Sequence, residues 1–223
     1  MEICVLQIAS RTYISVGPYG GREMTKMFDV RNSVEFRRLR DTERVAHSIF
    51  LNQPNFIPGV LQDPAYAQEM ISRISGLPAG DAEVAERVQV REERHRAFLE
   101  RLSGDDAPQV HVVLDESVLR RTHTGSDTMR KQIEHLIEVS RRPTVKLGIL
   151  ALDHGPHQGL AGSFEVHDTA DTSLVFFEGA EGDRILEGDD DRIGLYRALV
   201  GSLMDIAASG EDARTLMAKL VNH

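Results

Sequence analysis

Apolar residues recur at helical spacing through much of the chain, and most of these stretches carry their own start and stop signals. Asn32 and Glu35 have the spacing of a capping box, which predicts a helix start. The prolines at positions 54 and 58 end the pattern. The apolar positions of this first predicted helix are Phe36, Leu39, Ala46, Ile49 and Phe50.

Three further helices are predicted. Asp63-Pro64 supplies an N-cap and a preorganised first turn for a helix that Gly76 closes. Asp81 caps a longer helix, and another begins near Ser126. The apolar side of the Asp81 helix consists of Val84, Val88, Phe98, Leu99 and Leu102. Its other face is predicted to be solvated and salt-bridged rather than an anion site, and it carries Glu83, Glu86, Arg87, Arg91, Glu93 and Arg94.

Short β-branched runs between the helices predict one sheet. Residues 110–114 and 145–150 flank the Ser126 helix, which favours a right-handed crossover between two parallel strands. The antiparallel meander that follows is predicted at residues 163–167, 173–178 and 184–187. Two C-terminal helices complete an α+β (mixed α/β) fold, which combines N-terminal helices, a small mixed sheet with one βαβ crossover, and this meander.

The beginning of the sequence has a different pattern. Residues 3–9 are a short apolar run, residues 12–16 alternate, and residues 17–21 supply turn formers, which predicts a hairpin or an edge strand. This segment has neither the length nor the repeated helices of a helix-turn-helix module. The chain is therefore divided into a strand-rich N-terminal extension, 1–31, and a main domain, 32–223.

Composition and charge narrow the classes of function. The formal net charge is −9 and tryptophan is absent, so direct binding of nucleic acid through phosphates or stacked bases is not expected. The single cysteine, Cys4, excludes a disulfide framework and a multi-cysteine zinc site. No stretch reaches the roughly 18 apolar residues of a membrane helix, and no signal segment is evident, so a cytoplasmic protein is expected.

Candidate chemistry is sparse. Asp115-Glu116 follows the first core strand, where open α/β sheets bind ligands; a helix cap with an arginine partner is the structural alternative. His154, His157 and His167 are the best metal candidates, but their spacing matches no signature and no metal is predicted. The acidic run 187–192 is explained by the start of a helix. Because nucleophile, phosphate-binding and dinucleotide motifs are absent, catalytic residues stay unknown and no cofactor is predicted.

Five stretches, taken in order, resemble a large actinobacterial domain of unknown function. Residues 57–67 are similar to its V-P-G-L-L-Q-T-x-x-Y-A segment, residues 112–121 to its strand-to-helix motif, and residues 129–136 to its M-x-x-Q-L-x-x-L helix. Residues 155–164 are similar to its G-x-H-x-G-L-x-G-x-F loop and strand, and residues 175–178 complete the series.

In that family the domain usually follows a Cro/C1-type helix-turn-helix in WhiJ-like (Scr-type, antitoxin-like) regulators, which pair with small BldB-like proteins. The resemblance, over about residues 33–221, implies a sensor or partner-binding domain and carries over no catalytic residue. Strand-like residues stand where the DNA-binding helices are usual, so a standalone module is expected. Ala151 and His95 stand where the family commonly has proline and glutamine.

Two functions remain open. The first is a regulatory module that binds a small molecule or a small BldB-like protein between helices and sheet, alone or as a homodimer. The alternative is an enzyme or carrier recruited to natural product biosynthesis, with Glu116 or a loop histidine in acid–base chemistry. An arginine pointing inward towards Glu116 or Glu178 would form a buried pair in such a pocket. The candidate ligand-binding residues are Glu116, Arg91, His157, Phe164 and Glu178.

Overall fold

The computed structural model describes residues 3–8, 11–16, 33–121, 126–179 and 182–221. Its strands are β1 (Ile3–Ile8), β2 (Arg11–Val16), β3 (Ser48–Gln53), β4 (Gln109–Asp115), β5 (Val145–Leu150), β6 (Phe164–Asp168), β7 (Ser173–Phe177), β8 (Arg184–Glu187) and β9 (Ala208–Ser209). Its helices are α1 (Val34–Glu43), α2 (Pro64–Ser75), α3 (Ala82–Arg101), α4 (Glu116–Arg120), α5 (Ser126–Val139), α6 (Asp190–Ile206) and α7 (Gly210–Val221).

Seven of the strands form one mixed sheet in the order β8-β7-β6-β3-β4-β5-β9. The central strands β3, β4 and β5 are parallel. On one side β6, β7 and β8 form the predicted antiparallel meander, and β9 pairs with β5 at the other edge. The α+β class is therefore confirmed. The sheet contains a second parallel crossover besides the predicted one, since α2 and α3 connect β3 to β4.

Helices cover both faces of this sheet. On one face, α2, α3, α5 and α7 enclose the largest apolar core, which includes Leu51, Val112 and Leu147 from the three parallel strands. On the other face α6 packs through Val200 and Leu203 against strand residues of the opposite parity. The sheet is thus the middle layer of three, and its central strands are buried on both sides.

Capping chemistry fixes the start of α2 and α3, as the sequence predicts. Asp63 accepts a hydrogen bond of 2.9 Å from the N–H of Ala65, and Pro64 occupies the first helical position. Gly76 ends α2 with a φ of 70°, in the left-handed region that favours glycine. Asp81 caps α3 in the same way as Asp63 caps α2.

The prediction of the first helix is wrong for its second half. α1 ends at Glu43, and the residues expected to continue it form the central strand β3. β3 pairs with β4 on one side and β6 on the other, and Ile49 and Leu51 are buried. A strand that is covered on both faces has no clear polar–apolar alternation. The apolar positions Ala46, Ile49 and Phe50 therefore matched helical spacing without forming a helix.

α1 packs beside α3 over the antiparallel half of the sheet. Its N-cap is Ser33, whose hydroxyl accepts a hydrogen bond of 2.9 Å from the N–H of Phe36. This corrects the predicted cap, Asn32, which lies outside the described residues. Phe36 packs in a small apolar cluster with Leu174 and Phe176 of β7, and this cluster forms one wall of the site described below.

β1 and β2 pair antiparallel in a sheet of their own, with Ile3 opposite Val16. This agrees with the predicted hairpin, whereas the turn residues predicted at 17–21 lie outside the described residues. The division of the chain after residue 31 stays a prediction. Among the helices described, none has the length and apolar character that crossing a lipid bilayer requires.

Candidate ligand-binding cavity

A cavity of about 130 Å³ lies between α1, α2, α3 and the β6–β7 part of the sheet. It adjoins Gln53, the last residue of β3, which is the strand where the sheet changes from parallel to antiparallel pairing. Its apolar walls are Phe36, Leu39, Phe56, Ile57, Met70, Ile71, Ile74, Val90 and Phe176. An apolar cavity of about 150 Å³ can hold benzene, so this space suits a small organic ligand.

α3 brings three arginines to this cavity, which corrects the predicted solvated face. Val84, Arg87, Arg91, Arg94 and Phe98 follow one another at intervals of three or four residues and so lie on one stripe of the helix. Val84, Arg94 and Phe98 are buried, and all three arginines line the cavity. The stripe therefore faces inward, and α3 carries positive charge towards the sheet.

Two of these arginines are neutralised by carboxylates. Arg94 donates from Nε and Nη2 to the two oxygens of Glu43 at 3.3 and 2.5 Å, and each side chain is only 8% exposed. The guanidinium also lies 5.1 Å from the centre of the Phe36 ring. Arg87 donates from Nη2 to Oε1 of Glu83 at 2.6 Å.

Arg91 has no such carboxylate partner in the part of the chain that the structure describes. Among the described residues, no carboxylate oxygen lies within 4.0 Å of its guanidinium. The guanidinium lies against Gly59, where an added methyl group would be 1.9 Å from Nη1. Burial and then the like charge of Arg94 lower the pKa of Arg91, and the attraction of Glu178 and other acids does not compensate. The cavity thus holds a cation that has no ion-pair partner among the described residues.

Glu165 lies on the sheet side of the cavity and is paired. Its Oε2 is 3.1 Å from Nε2 of His167, two residues along β6, and both side chains are buried. Burial opposes ionisation of Glu165, but the hydrogen bond with His167 and the charges of Arg94 and Arg91 outweigh it and lower its pKa. Glu165 is therefore held as a carboxylate inside the domain.

Asp183 is a second cavity group whose carboxyl oxygens lack a well-formed hydrogen bond among the described residues. Both of its carboxyl oxygens are buried, and neither accepts a hydrogen bond of good geometry from the described residues. Burial, followed by the charge of Glu178 at the cavity rim, raises the pKa of Asp183 to about 7; the backbone of Gly179 opposes this rise to a lesser degree. A carboxyl group in this state can take up or release a proton near neutral pH.

The predicted acids at the end of β4 have structural roles. Asp115 caps α4 by accepting a hydrogen bond of 2.8 Å from the N–H of Ser117, and its other oxygen is 3.1 Å from Nε2 of His157. Glu116 accepts hydrogen bonds from Arg120 at 2.6 Å and from the N–H of Leu152 at 2.9 Å. The structural alternative considered for this pair, a helix cap with an arginine partner, describes these contacts.

The glycine-rich loop after β5 is packed against the sheet rather than around a hollow. Asn52 donates from Nδ2 to the carbonyls of Gly159 and Gly162 at 2.9 and 2.8 Å. A methyl group on Gly159 would lie 2.7 Å from Oδ1 of Asn52, so only glycine allows this approach. Phe164 follows in β6 and packs edge-on against Tyr196 of α6, with ring centres 4.9 Å apart.

The five candidate ligand-binding residues are therefore not brought together. Arg91 and Glu178 line the cavity. Glu116 and His157 lie at the end of β4, and Phe164 is part of the core under α6. The sequence pattern did not identify Asp183, Glu165 or the role of Gly59 as parts of a site. Only the stripe of residues on α3 has a spacing that indicates the cavity.

The histidines considered as metal candidates are also apart. The rings of His154 and His157 lie 6.5 Å from each other, and His167 points from β6 towards Glu165. Within the described ranges there is no group of three or more histidine, cysteine or acidic side chains placed to hold a metal ion. The acidic run before α6 supplies its cap, since Asp189 accepts a hydrogen bond from the N–H of Arg192.

A family model described as a domain of unknown function, DUF5753, matches residues 36–219. The chain belongs to this family. All residues that line the cavity fall within the DUF5753 match, and the N-terminal hairpin lies outside it. Searches among curated proteins and among solved structures find no significant match. The geometry of this DUF5753 domain is therefore the basis for the function proposed below.

Proposed function

We propose that this DUF5753 domain is a regulatory module that senses a small molecule held in the cavity between α1–α3 and the sheet. The observation that carries the proposal is Arg91, a half-buried cation in a half-open cavity with apolar walls, with no carboxylate in ion-pair range among the described residues. Burying a charge without a partner is unfavourable. A ligand that brings a negative group would balance it.

A regulatory role is favoured over chemistry by two considerations. The acids and the loop histidine that the sequence offers for acid–base work are engaged in a helix cap and a packed loop. The resemblance of the sequence to WhiJ-like regulators is the second consideration, and it supports a regulatory role. Within the proposal, the occupied domain acts on a small BldB-like protein or on a second copy of itself.

The second candidate function is an enzyme or carrier in a biosynthetic pathway. Asp183 favours it, because a carboxyl group with a pKa raised to about 7 suits proton transfer near neutral pH. In this case Asp183, rather than Glu116 or a loop histidine, would exchange the proton.

Native mass spectrometry of the purified full chain tests the first candidate. The wild-type protein should retain a small molecule, or gain thermal stability when a metabolite extract is added, whereas Arg91→Met should lose that response and stay folded. Arg96→Met is the matched control, since Arg96 lies exposed on the same helix. Equal retention by wild type and Arg91→Met would overturn the proposal.

The same preparation separates sensor from enzyme. The molecule that dissociates from a sensor has the mass of the molecule that was added. A changed mass that depends on Asp183 and disappears in Asp183→Asn, while binding persists, would establish the enzyme instead.

A further inference from the structure

Two unsatisfied groups of opposite character face the same cavity. Arg91 presents a guanidinium that no carboxylate of the described residues pairs with. Asp183 presents a carboxyl group whose two buried oxygens accept no hydrogen bond of good geometry from the described residues, although the backbone of Gly179 interacts with it. Glu178 adds a carboxylate at the rim, next to Asp183. A ligand that satisfies both groups therefore needs an anionic group near Arg91 and a cationic hydrogen-bond donor near Asp183.

These groups do not satisfy each other in the folded chain. Neither Asp183 nor Glu178 lies within the 4.0 Å of an ion pair with Arg91. Gly59 holds the Arg91 guanidinium in place, because its missing side chain leaves the space that Nη1 occupies. A ligand with a single charge would satisfy one group and leave the other without a charged partner in the cavity, which reduces affinity.

We propose that the ligand is a small zwitterion with an apolar body, of which an α-amino acid with an aliphatic or aromatic side chain is the simplest example. This inference rests on the proposed ligand-sensing function. The carboxylate of the ligand binds Arg91, and its ammonium group donates to Asp183, with Glu178 adding negative charge at the rim. The apolar body lies among Phe36, Phe56 and Phe176.

The size of the cavity limits this class. The cavity volume of about 130 Å³ is slightly smaller than the cavity of about 150 Å³ that accepts benzene. The side chain of valine or leucine is of suitable bulk, and that of phenylalanine, which is larger than benzene, marks the upper limit, whereas a nucleotide or a peptide is too large. The half-open side near Ile74 and Glu178, both exposed, leaves room for the charged groups.

The test uses three matched sets of probes on the full chain, measured by isothermal titration calorimetry above pH 7, where Asp183 is ionised. Each set contains a free amino acid, the amine that lacks its carboxylate, and the acid that lacks its amino group, for valine, leucine and phenylalanine. At least one amino acid should bind about tenfold to a hundredfold more tightly than both of its truncated counterparts, since each charged hydrogen bond contributes about 1.5–3 kcal/mol.

Two variants assign the charges. The methyl group of Gly59→Ala would lie 1.9 Å from Nη1 of Arg91, so this change should displace the flexible Arg91 side chain and leave the fold intact. It should therefore weaken binding of the amino acid and the acid but not of the amine. Asp183→Asn should weaken binding of the amino acid and the amine but not of the acid. Asp105→Asn, an exposed change elsewhere, is the control and should alter none of them.

The outcomes separate this inference from the function on which it rests. If an acid or an amine binds as tightly as its amino acid, the ligand carries one charge and the inference is wrong. It is also wrong if no probe binds while a different molecule co-purifies with wild type and is lost in Arg91→Met; the sensing function then stands. If no probe binds and nothing co-purifies, both are overturned.

Discussion

The buried pair between Arg94 and Glu43 offers a direct test of how α3 is oriented. Both side chains are 8% exposed, and two hydrogen bonds of 3.3 and 2.5 Å join them. Arg94→Met removes the cation and leaves the Glu43 carboxylate buried without a partner. Breaking a buried pair in this way costs about 3–5 kcal/mol. For a chain of this length that corresponds to a fall in Tm of roughly 6–20 °C.

The assay is urea unfolding of the single and double variants with linear extrapolation. Glu43→Met combined with Arg94→Met removes both charges and should be at least about 2 kcal/mol more stable than Arg94→Met alone, because no unpaired charge remains. Arg96→Met, on the exposed side of α3, should change stability by less than about 0.5 kcal/mol.

Two results would refute this reasoning. If Arg94→Met lies within about 1 kcal/mol of wild type, the pair is solvated and α3 faces the other way. If the double variant is less stable than Arg94→Met, the Glu43 carboxylate is stabilised by other groups and does not depend on Arg94.

Three further changes probe packing, the loop and pH. Gly148→Ala should lower the free energy of unfolding in urea by about 1–3 kcal/mol, because a methyl group there would lie 2.8 Å from Sδ of Met204. The control is Gly201→Ala, where nothing lies within 4 Å of the added methyl group, and this change should raise the free energy of unfolding by up to about 1 kcal/mol. Equal effects of the two changes would contradict the packing around Gly148. Asn52→Ala should cost about 1–3 kcal/mol and speed hydrogen exchange in the loop it holds; unchanged exchange would argue against that anchor. Asp183 binds its proton more tightly in the folded chain, with a pKa of about 7 against 3.8, so its contribution to stability is lost as the pH rises through this window. Asp183→Asn should therefore be more stable than wild type above pH 7 and equal to it below 3.8, as thermal unfolding at both ends would show.

Elements with local signals were predictable from the sequence. Asp63-Pro64 and Asp81 start their helices through hydrogen bonds to residues two positions away, so neighbouring letters suffice to place them. β3 was not predictable in this way, since its strand conformation depends on pairing with β4 and β6, whose residues are far away in the chain. Taken by themselves, the positions of Ile49 and Phe50 fit both a helical and a strand pattern.

The site was predictable only in part, for a similar reason. Val84, Arg91 and Phe98 lie on one stripe of α3. Grouping the arginines of this stripe with its apolar residues would have predicted that the arginines face the interior of the domain. Asp183 gave no signal, because an acid between glycine and arginine is typical of an exposed turn. Its burial results from the packing of the segment before β8 against distant helices, which no local pattern encodes.

The walls of the cavity come from two distant parts of the chain, α1–α3 and the segment from β6 to β8. Joining them closes a long loop, which is entropically demanding and needs most of the sheet to be in place. Under the proposed function, a molecule bound there would stabilise the native chain more than the transition state of folding, so it would mainly slow unfolding. The concentration of that molecule would then determine how long each copy of the protein resists proteolysis. The cellular abundance of the protein would itself report the presence of the ligand.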